Sequence, residues 1–311
     1  MAVTNDISTE ARPDFFVIGA ARSGTTALTE ALRRHPEVFV TSPKEPHFLA
    51  FADQRVAFTG PGDDVTMNDV VHTELDAYLG LYRASEGCRA RGEGSVSTLY
   101  YSRRSVQTLK SYFPDARLVA ILRDPVERAF SSYQLLRARG FEPCADFDAA
   151  LDLEATRVAA GWHHLWHYAG MGYYGRQLAP FVKAFGPERL LVLDFETLRL
   201  DPGATLVQVC RFLGVSPVEA PAIRRCNTSG EPRNRSVHRL FATLERTRSA
   251  RRVIGSVVPR RARDWVRGRN LEQVAPPETA VARLRELYRE DAALLSELLA
   301  GRPVSAAYSM R

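Results

Sequence analysis

Apolar residues come in short unbroken runs, and between the runs lie stretches with apolar positions at helical spacing. Phe15-Phe16-Val17-Ile18-Gly19 is continuous and apolar, as in a strand buried on both faces. Ala20 to Gly24 is small and polar and reads as a loop. Thr25 to Arg34 then places Leu28, Ala31 and Leu32 on one helical face, and His35-Pro36 ends it. Val38-Phe39-Val40 predicts a second strand; Arg117 to Leu122 and Leu190 to Asp194 predict two more buried ones. Helices are predicted over 75–82, 102–113, 126–139 behind Asp124-Pro125, 174–185, and 204–213 with Gly214 as its stop. Residues 279–299 form a last helix with Val281, Leu284, Leu287, Tyr288 and Leu295 inward, while residues 53–73 read as an irregular surface loop. Alternating strands and helices predict an α/β fold with a central, mostly parallel sheet covered on both faces.

The 311 residues, 45% apolar and 25% charged, supply an ordinary soluble core and exclude collagen-like, coiled-coil and disulfide-scaffold readings. The expected organisation is a flexible polar tail over 1–13 and one domain over 14–311. Within it lie an insertion at 140–172 and an arginine-rich arm at 233–269. No run reaches membrane-spanning length, and the first thirteen residues lack the apolar centre of a signal peptide. Cys88, Cys144, Cys210 and Cys226 are scattered, which predicts reduced thiols and a cytoplasmic protein. The net charge of +6 is uneven: between residues 233 and 269 twelve arginines stand against Glu245 and Asp264. The basic balance is therefore local, and aromatic residues are sparse there, which speaks against nucleic acid as a partner.

Candidate chemistry begins at Gly19-Ala-Ala-Arg-Ser-Gly-Thr-Thr26, between a buried strand and a helix. Backbone N–H groups of Ser23, Gly24, Thr25 and Thr26 and the helix dipole suit a phosphate there. The spacing is that of a Walker phosphate loop, but Thr25 stands where the lysine belongs and Arg22 is the loop's only cation. That disfavours a P-loop kinase, which needs the lysine and Mg²⁺. A tight turn with incidental glycines has the same signature. About a hundred residues on, Arg123-Asp-Pro-Val-Glu-Arg-Ala-Phe-Ser131 opens a helix at the carboxyl end of a strand. Arg123 and Ser131 suit a second phosphate; a plain Arg123–Glu127 pair with Arg128 in solvent is the alternative.

The first loop resembles the 5′-phosphosulfate loop of sulfotransferases that use 3′-phosphoadenosine 5′-phosphosulfate (PAPS). The second resembles their 3′-phosphate motif R-x-P-x-x-R-x-x-S, here Arg123, Pro125, Arg128 and Ser131. Lys44-Glu-Pro-His-Phe-Leu49 resembles the K-E-x-H-F-F segment of the heparan sulfate sulfotransferase branch and its bacterial relatives. Gly92-Glu93-Gly94-Ser95 resembles its G-E-x-[ST] turn, and Gly172, Tyr174, Gln177 and Leu178 its G-x-Y-x-x-Q-L helix start. The heparan enzymes carry a lysine where Gly94 stands, and no clear K-G-R loop is present; Arg233-Asn-Arg235-Ser236 is the nearest substitute.

The resemblance implies a P-loop-like fold and sulfuryl transfer from PAPS to a hydroxyl or amine of a carbohydrate, lipid or secondary-metabolite acceptor, with 3′-phosphoadenosine 5′-phosphate (PAP) as product and no metal required. It assigns cofactor contacts to Arg22, Ser23, Gly24, Thr25, Thr26, Arg123, Ser131, Arg233 and Arg235, with Arg22 also stabilising the departing phosphate. Glu45 takes the role of general base; His47, two residues along, is the competitor, and a surface Lys44–Glu45 pair is the bland reading. Trp162, Trp166, Tyr173 and Tyr174 are candidate walls for a carbohydrate, lipid-linked or small-molecule acceptor, and an aromatic packing cluster is the alternative. His163 and His167 have the i, i+4 spacing of metal ligands but lack a third. Apolar positions in the arm, Val237, Leu240, Phe241 and Leu244, suit peripheral contact with an anionic membrane, cover for the cofactor, or a solvated basic helix. The different-class alternative is a non-catalytic nucleotide-binding or membrane-surface protein.

Overall fold

Five parallel strands form one sheet: β1 (Phe15–Gly19), β2 (Val38–Val40), β3 (Ala90–Glu93), β4 (Arg117–Leu122) and β5 (Leu190–Asp194), in the spatial order β2-β3-β1-β4-β5. The computed structural model describes residues 12–218, 231–232, 271–272 and 274–300. Arg233, Arg235, the arm at 233–269 and almost all of the tail at 1–13 lie outside the described residues. The helices are α1 (Thr25–Arg33), α2 (Phe48–Phe51), α3 (Leu75–Leu79), α4 (Ser97–Tyr100), α5 (Ser102–Tyr112) and α6 (Pro125–Ala138). They continue with α7 (Phe147–Asp152), α8 (Glu154–Ala159), α9 (Tyr174–Phe185), α10 (Phe195–Leu200), α11 (Pro202–Leu213) and α12 (Glu278–Leu299).

Alternate side chains of a strand leave opposite faces, and here both faces are apolar. Phe15, Val17, Val119 and Ile121 pack with Leu28, Leu32, Leu206 and Val209 of α1 and α11. Phe16, Ile18, Leu118 and Leu122 pack with Phe48, Leu109, Leu178 and Phe181 of α2, α5 and α9. Two-sided burial is why these strands read as unbroken apolar runs. β3 has no such run and was not foreseen as a strand. Its neighbours hold it instead: Arg91 lies 3.8 Å from Asp14 and its N–H donates to Asp14 Oδ1 at 3.1 Å. At Gly92 a Cβ would stand 2.3 Å from the Phe15 carbonyl oxygen, so only glycine lets β3 approach β1.

From β1 the chain turns toward β2; from β4 it turns the other way, toward β5. Neighbours β1 and β4 are thus the switch point, where open α/β sheets leave a crevice at their carboxyl ends. The Gly19–Thr26 loop and Arg123 both sit there.

The last helix deviates from its expected inner face in one place. Leu284, Tyr288 and Leu295 are buried, but Leu287 is 43% exposed and Asp291 is buried. The Asp291 carboxylate accepts from the first-turn N–H groups of Gly175 (2.7 Å) and Arg176 (2.9 Å), capping α9 from a neighbouring helix. Asp291→Ala is expected to destabilise the fold by about 2 kcal/mol in urea unfolding, the cost of two stranded amides and a lost cap. Among the described residues no helix is long and apolar enough to cross a membrane.

Candidate functional site

The loop after β1 is shaped by two left-handed residues, Arg22 (φ 64°) and Gly24 (φ 88°). α1 starts behind Gly24 with no side-chain cap, so its first-turn N–H groups lack an acceptor within the helix. A Cβ at Gly24 would lie 2.8 Å from Leu198 Cδ2, so the position needs glycine for space as well as for φ. Ser23 is fully buried beneath the turn.

The second motif closes onto this loop. Arg22 Nε donates to Ser131 Oγ at 3.0 Å, and Arg123 Nη1 donates to the Arg22 carbonyl at 3.4 Å. Arg123 also donates from Nε and Nη2 to Glu127 Oε2, at 3.2 and 3.0 Å, and its guanidinium lies 4.9 Å over the Phe195 ring. The Arg123–Glu127 pair and the contact to the loop therefore coexist. Burial, with Arg139, Arg123 and Arg128 nearby, brings Arg22 down to about 9; it remains a cation at neutral pH among other cations. Such crowding is relieved by an anion.

Arg128, the second arginine of the motif, is turned away from solvent. It is fully buried and donates to Ser132 Oγ (3.2 Å) and to the Tyr168 carbonyl, tying α6 to the segment before α9.

A third segment completes the arrangement. Lys44 Nζ donates to Thr25 Oγ1 at 3.3 Å and to Glu45 Oε1 at 2.8 Å. A lysine thus reaches the residue where the Walker pattern has one, from a different part of the chain; spacing along residues 19–26 gave no sign of it. At Gly94 a Cβ would lie 2.7 Å from Thr29 Cγ2 and 3.0 Å from Lys44 Cε, so Gly94 leaves room for Lys44. Glu45 Oε2 accepts from the Val96 N–H at 3.5 Å and lies 4.0 Å from His47 Nε2. Burial pushes the Glu45 carboxyl up, but Lys44, His47 and the Val96 N–H outweigh it and the net position is below the ordinary value.

His47 adopts φ 60°, and its Nδ1 lies 2.8 Å from Ser97 Oγ. Burial takes its imidazole down to about 4, so it is neutral. His164 stands 6.1 Å from it, ring to ring, and Tyr100 and Tyr101 pack on His164 at 6.0 and 5.6 Å. Tyr100 and Tyr101 follow the Gly92–Ser95 turn by five and six residues, and no motif in the sequence marks them as neighbours of the site.

The aromatic residues of 162–174 are placed mainly in the core. Trp166 is fully buried and its indole N–H donates to Asp63 Oδ1 at 2.9 Å. Trp162 packs edge-on to Trp166 at 4.7 Å, and the buried Arg157 guanidinium lies 5.2 Å over it, paired in turn with Glu142 at 2.8 Å. Tyr173 packs edge-on against Tyr288 at 5.2 Å. Tyr174 is buried, its hydroxyl facing Ser23, Arg123 and Arg128 rather than an acceptor. Trp166 and Tyr174, two of the four candidate acceptor walls, are thus covered by the fold. His167 accepts from the Tyr100 hydroxyl at 2.7 Å and donates to the Trp162 carbonyl at 3.1 Å. His163 accepts from the Leu165 N–H and faces Asp63 and Thr66. The ring nitrogens of both are committed within the fold.

A glycine-bearing loop on an uncapped helix, a second arginine motif locked to it across the switch point, and a lysine–carboxylate pair at its side mark an α/β protein of the phosphate-loop type. The chain belongs to the sulfotransferase family, whose sequence profile matches residues 13–219. A solved sulfotransferase from Alicyclobacillus acidocaldarius is 34% identical and covers 75% of this chain and 92% of its own, with a TM-score of 0.64. The bifunctional heparan sulfate N-deacetylase/N-sulfotransferase 3 of Mus musculus is 28% identical over 214 residues, 66% of this chain. The heparan sulfate glucosamine 3-O-sulfotransferase 3A1 of Mus musculus is 26% identical over 281 residues, 86% of this chain. The matches span 22% of the first relative's length and 63% of the second's.

Proposed function

We propose that this chain transfers the sulfuryl group of PAPS to a hydroxyl of a carbohydrate, lipid or other small-molecule acceptor. The observation that carries the reading is the Arg22–Ser131 hydrogen bond with Arg123 on the Arg22 carbonyl: two anion motifs form one site, as a nucleotide with phosphates at both ends requires.

The α1 amides, Arg22 and Lys44 would hold the 5′-phosphosulfate end, and Arg123 with Ser131 the 3′-phosphate. PAPS supplies a sulfuryl group on a leaving phosphate: the acceptor oxygen bonds to sulfur, the bond from sulfur to the phosphate oxygen breaks, PAP departs, and the hydroxyl proton goes to Glu45. Positioning and charge dominate such a transfer. Lys44 bridges its two ends, touching Thr25 of the anion loop and the Glu45 carboxylate. Glu45 is ionised at neutral pH and ready to accept a proton, while His47 is neutral with Nδ1 engaged.

Thermal shift tests the donor. PAP at a hundred times its Kd is expected to raise Tm by about 5 °C, and ATP with Mg²⁺ to leave it unchanged. The ATP arm is needed because Lys44 brings to the loop the lysine that residues 19–26 lack. A shift with ATP·Mg²⁺ and none with PAP overturns the reading. Appearance of PAP from PAPS together with sulfated acceptor then separates an enzyme from a nucleotide-binding protein.

A further inference from the structure

We propose that Glu93 is a positioning residue for the reaction: it closes the turn that sets Lys44, Glu45 and His47 against the anion loop. This rests on the transfer reading above. The turn over residues 93–97 grips the 44–47 segment at four points. The Gly94 N–H donates to the Lys44 carbonyl at 3.0 Å, and the Val96 N–H to Glu45 Oε2 at 3.5 Å. The His47 N–H donates to Ser95 Oγ at 2.9 Å, and His47 Nδ1 meets Ser97 Oγ at 2.8 Å. Glu93 fastens the turn from below, its Oε2 accepting the Ser95 N–H at 2.6 Å. It sits at the carboxyl end of β3, 1% exposed, paired in register with Phe16 of β1. Its other oxygen, Oε1, is buried with no hydrogen-bond partner. A buried carboxyl with one oxygen unpaired carries a desolvation cost that calls for a reason, and closing this turn supplies one.

The charge of the neighbourhood fits the same role. Glu93 faces Lys44 and Glu45 from the segment after β2, and Tyr78 and Tyr82 from the helical turns over 75–85. Burial pushes the Glu93 carboxyl up to about 8, against its hydrogen bonds to Ser95. At neutral pH it is a neutral acid, and Lys44 stays committed to Glu45 and Thr25. As pH rises through about 8 a second carboxylate forms and competes for that lysine.

The test compares wild type, Glu93→Gln and Glu93→Ala by PAP release from PAPS with water as the attacking oxygen, by PAP calorimetry, and by the His47 imidazole NMR resonance. Glu93→Ala is expected to slow PAP release about a hundredfold, as misplacement of a reacting group does, with PAP affinity falling by no more than about tenfold, because Lys44 is displaced while Arg22, Arg123 and Ser131 stay in place. It should also shift the His47 resonance. Glu93→Gln restores both, and it removes the alkaline fall that wild type shows near pH 8. Glu93→Ala at wild-type rate, an equally slow Glu93→Gln, or loss of PAP binding with activity overturns the proposal. If wild type does not bind PAP, the transfer reading fails alone; if it binds PAP but water draws none from PAPS, the rate comparison gives way to the His47 resonance. The His47 resonance then decides: moved by Ala and restored by Gln supports positioning, unmoved by Ala overturns it.

Discussion

Glu45→Gln is expected to lower sulfuryl transfer by about a thousandfold, the range for removing a general base, while PAP affinity changes by less than about threefold. The substitution keeps the side-chain volume and the acceptor for the Val96 N–H, and removes the negative charge that draws Lys44. Glu45 meets the donor side through Lys44, which keeps its own contact to Thr25, while Arg22, Ser131 and Arg123 are joined to one another, so the donor site should survive. The pH profile carries a second signature. Lys44, His47 and the Val96 N–H together hold the Glu45 carboxyl below its ordinary value despite burial. Transfer should therefore persist down through the usual carboxylate range and be lost only as pH falls below it. His47→Gln is the comparison. With its imidazole at about 4 and Nδ1 engaged by Ser97, His47 should matter for placing Glu45 rather than for taking the proton. A collapse of transfer in His47→Gln with Glu45→Gln fully active would reverse the two roles. Steady-state PAP release and PAP calorimetry on both variants settle it.

The legible parts of this molecule were those whose signal is local. β1, β4 and β5 are buried on both faces and so are apolar throughout, and periodicity found them. The helix at 125–138 announced itself by Asp124-Pro125, and Asp124 does accept from the Glu127 N–H at 2.9 Å. The turn after β1 and the arginine motif after β4 were legible as motifs for a similar reason, since each is spelled by residues a few positions apart. What stayed hidden is non-local. β3 is held by an ion pair to Asp14 and by the absence of a side chain at Gly92, and no hydrophobic run marks it. Lys44 reaches Thr25 from nineteen residues away, which no spacing rule along one loop predicts. Asp291 sits on the inner face of α12 because its partners are backbone amides of α9, where the pattern anticipated only apolar contacts.

Arg22→Ala is expected to weaken PAP binding by at least about a hundredfold, roughly 3 kcal/mol, in keeping with loss of a charge-assisted contact and its geometry. Three roles meet in this residue. Its left-handed backbone turns the loop onto α1; its Nε holds Ser131; and its carbonyl receives Arg123, fixing the second motif relative to the first. Ser131→Ala breaks one of these links and should cost about tenfold. Arg22→Lys keeps the charge but loses the planar fork that addresses Ser131 and an anion together, so it should fall nearer to Ala than to wild type. Stability should move differently from affinity. Arg22 is desolvated and sits near Arg139, Arg123 and Arg128, so its removal also removes repulsion in the unliganded protein. Apo Tm of Arg22→Ala should lie within about 2 °C of wild type, while the Tm gain from PAP nearly disappears. Raising salt should narrow the affinity gap, because the lost term is largely Coulombic. An Arg22→Ala protein that binds PAP as wild type does would mean the two motifs are neighbours without being one site.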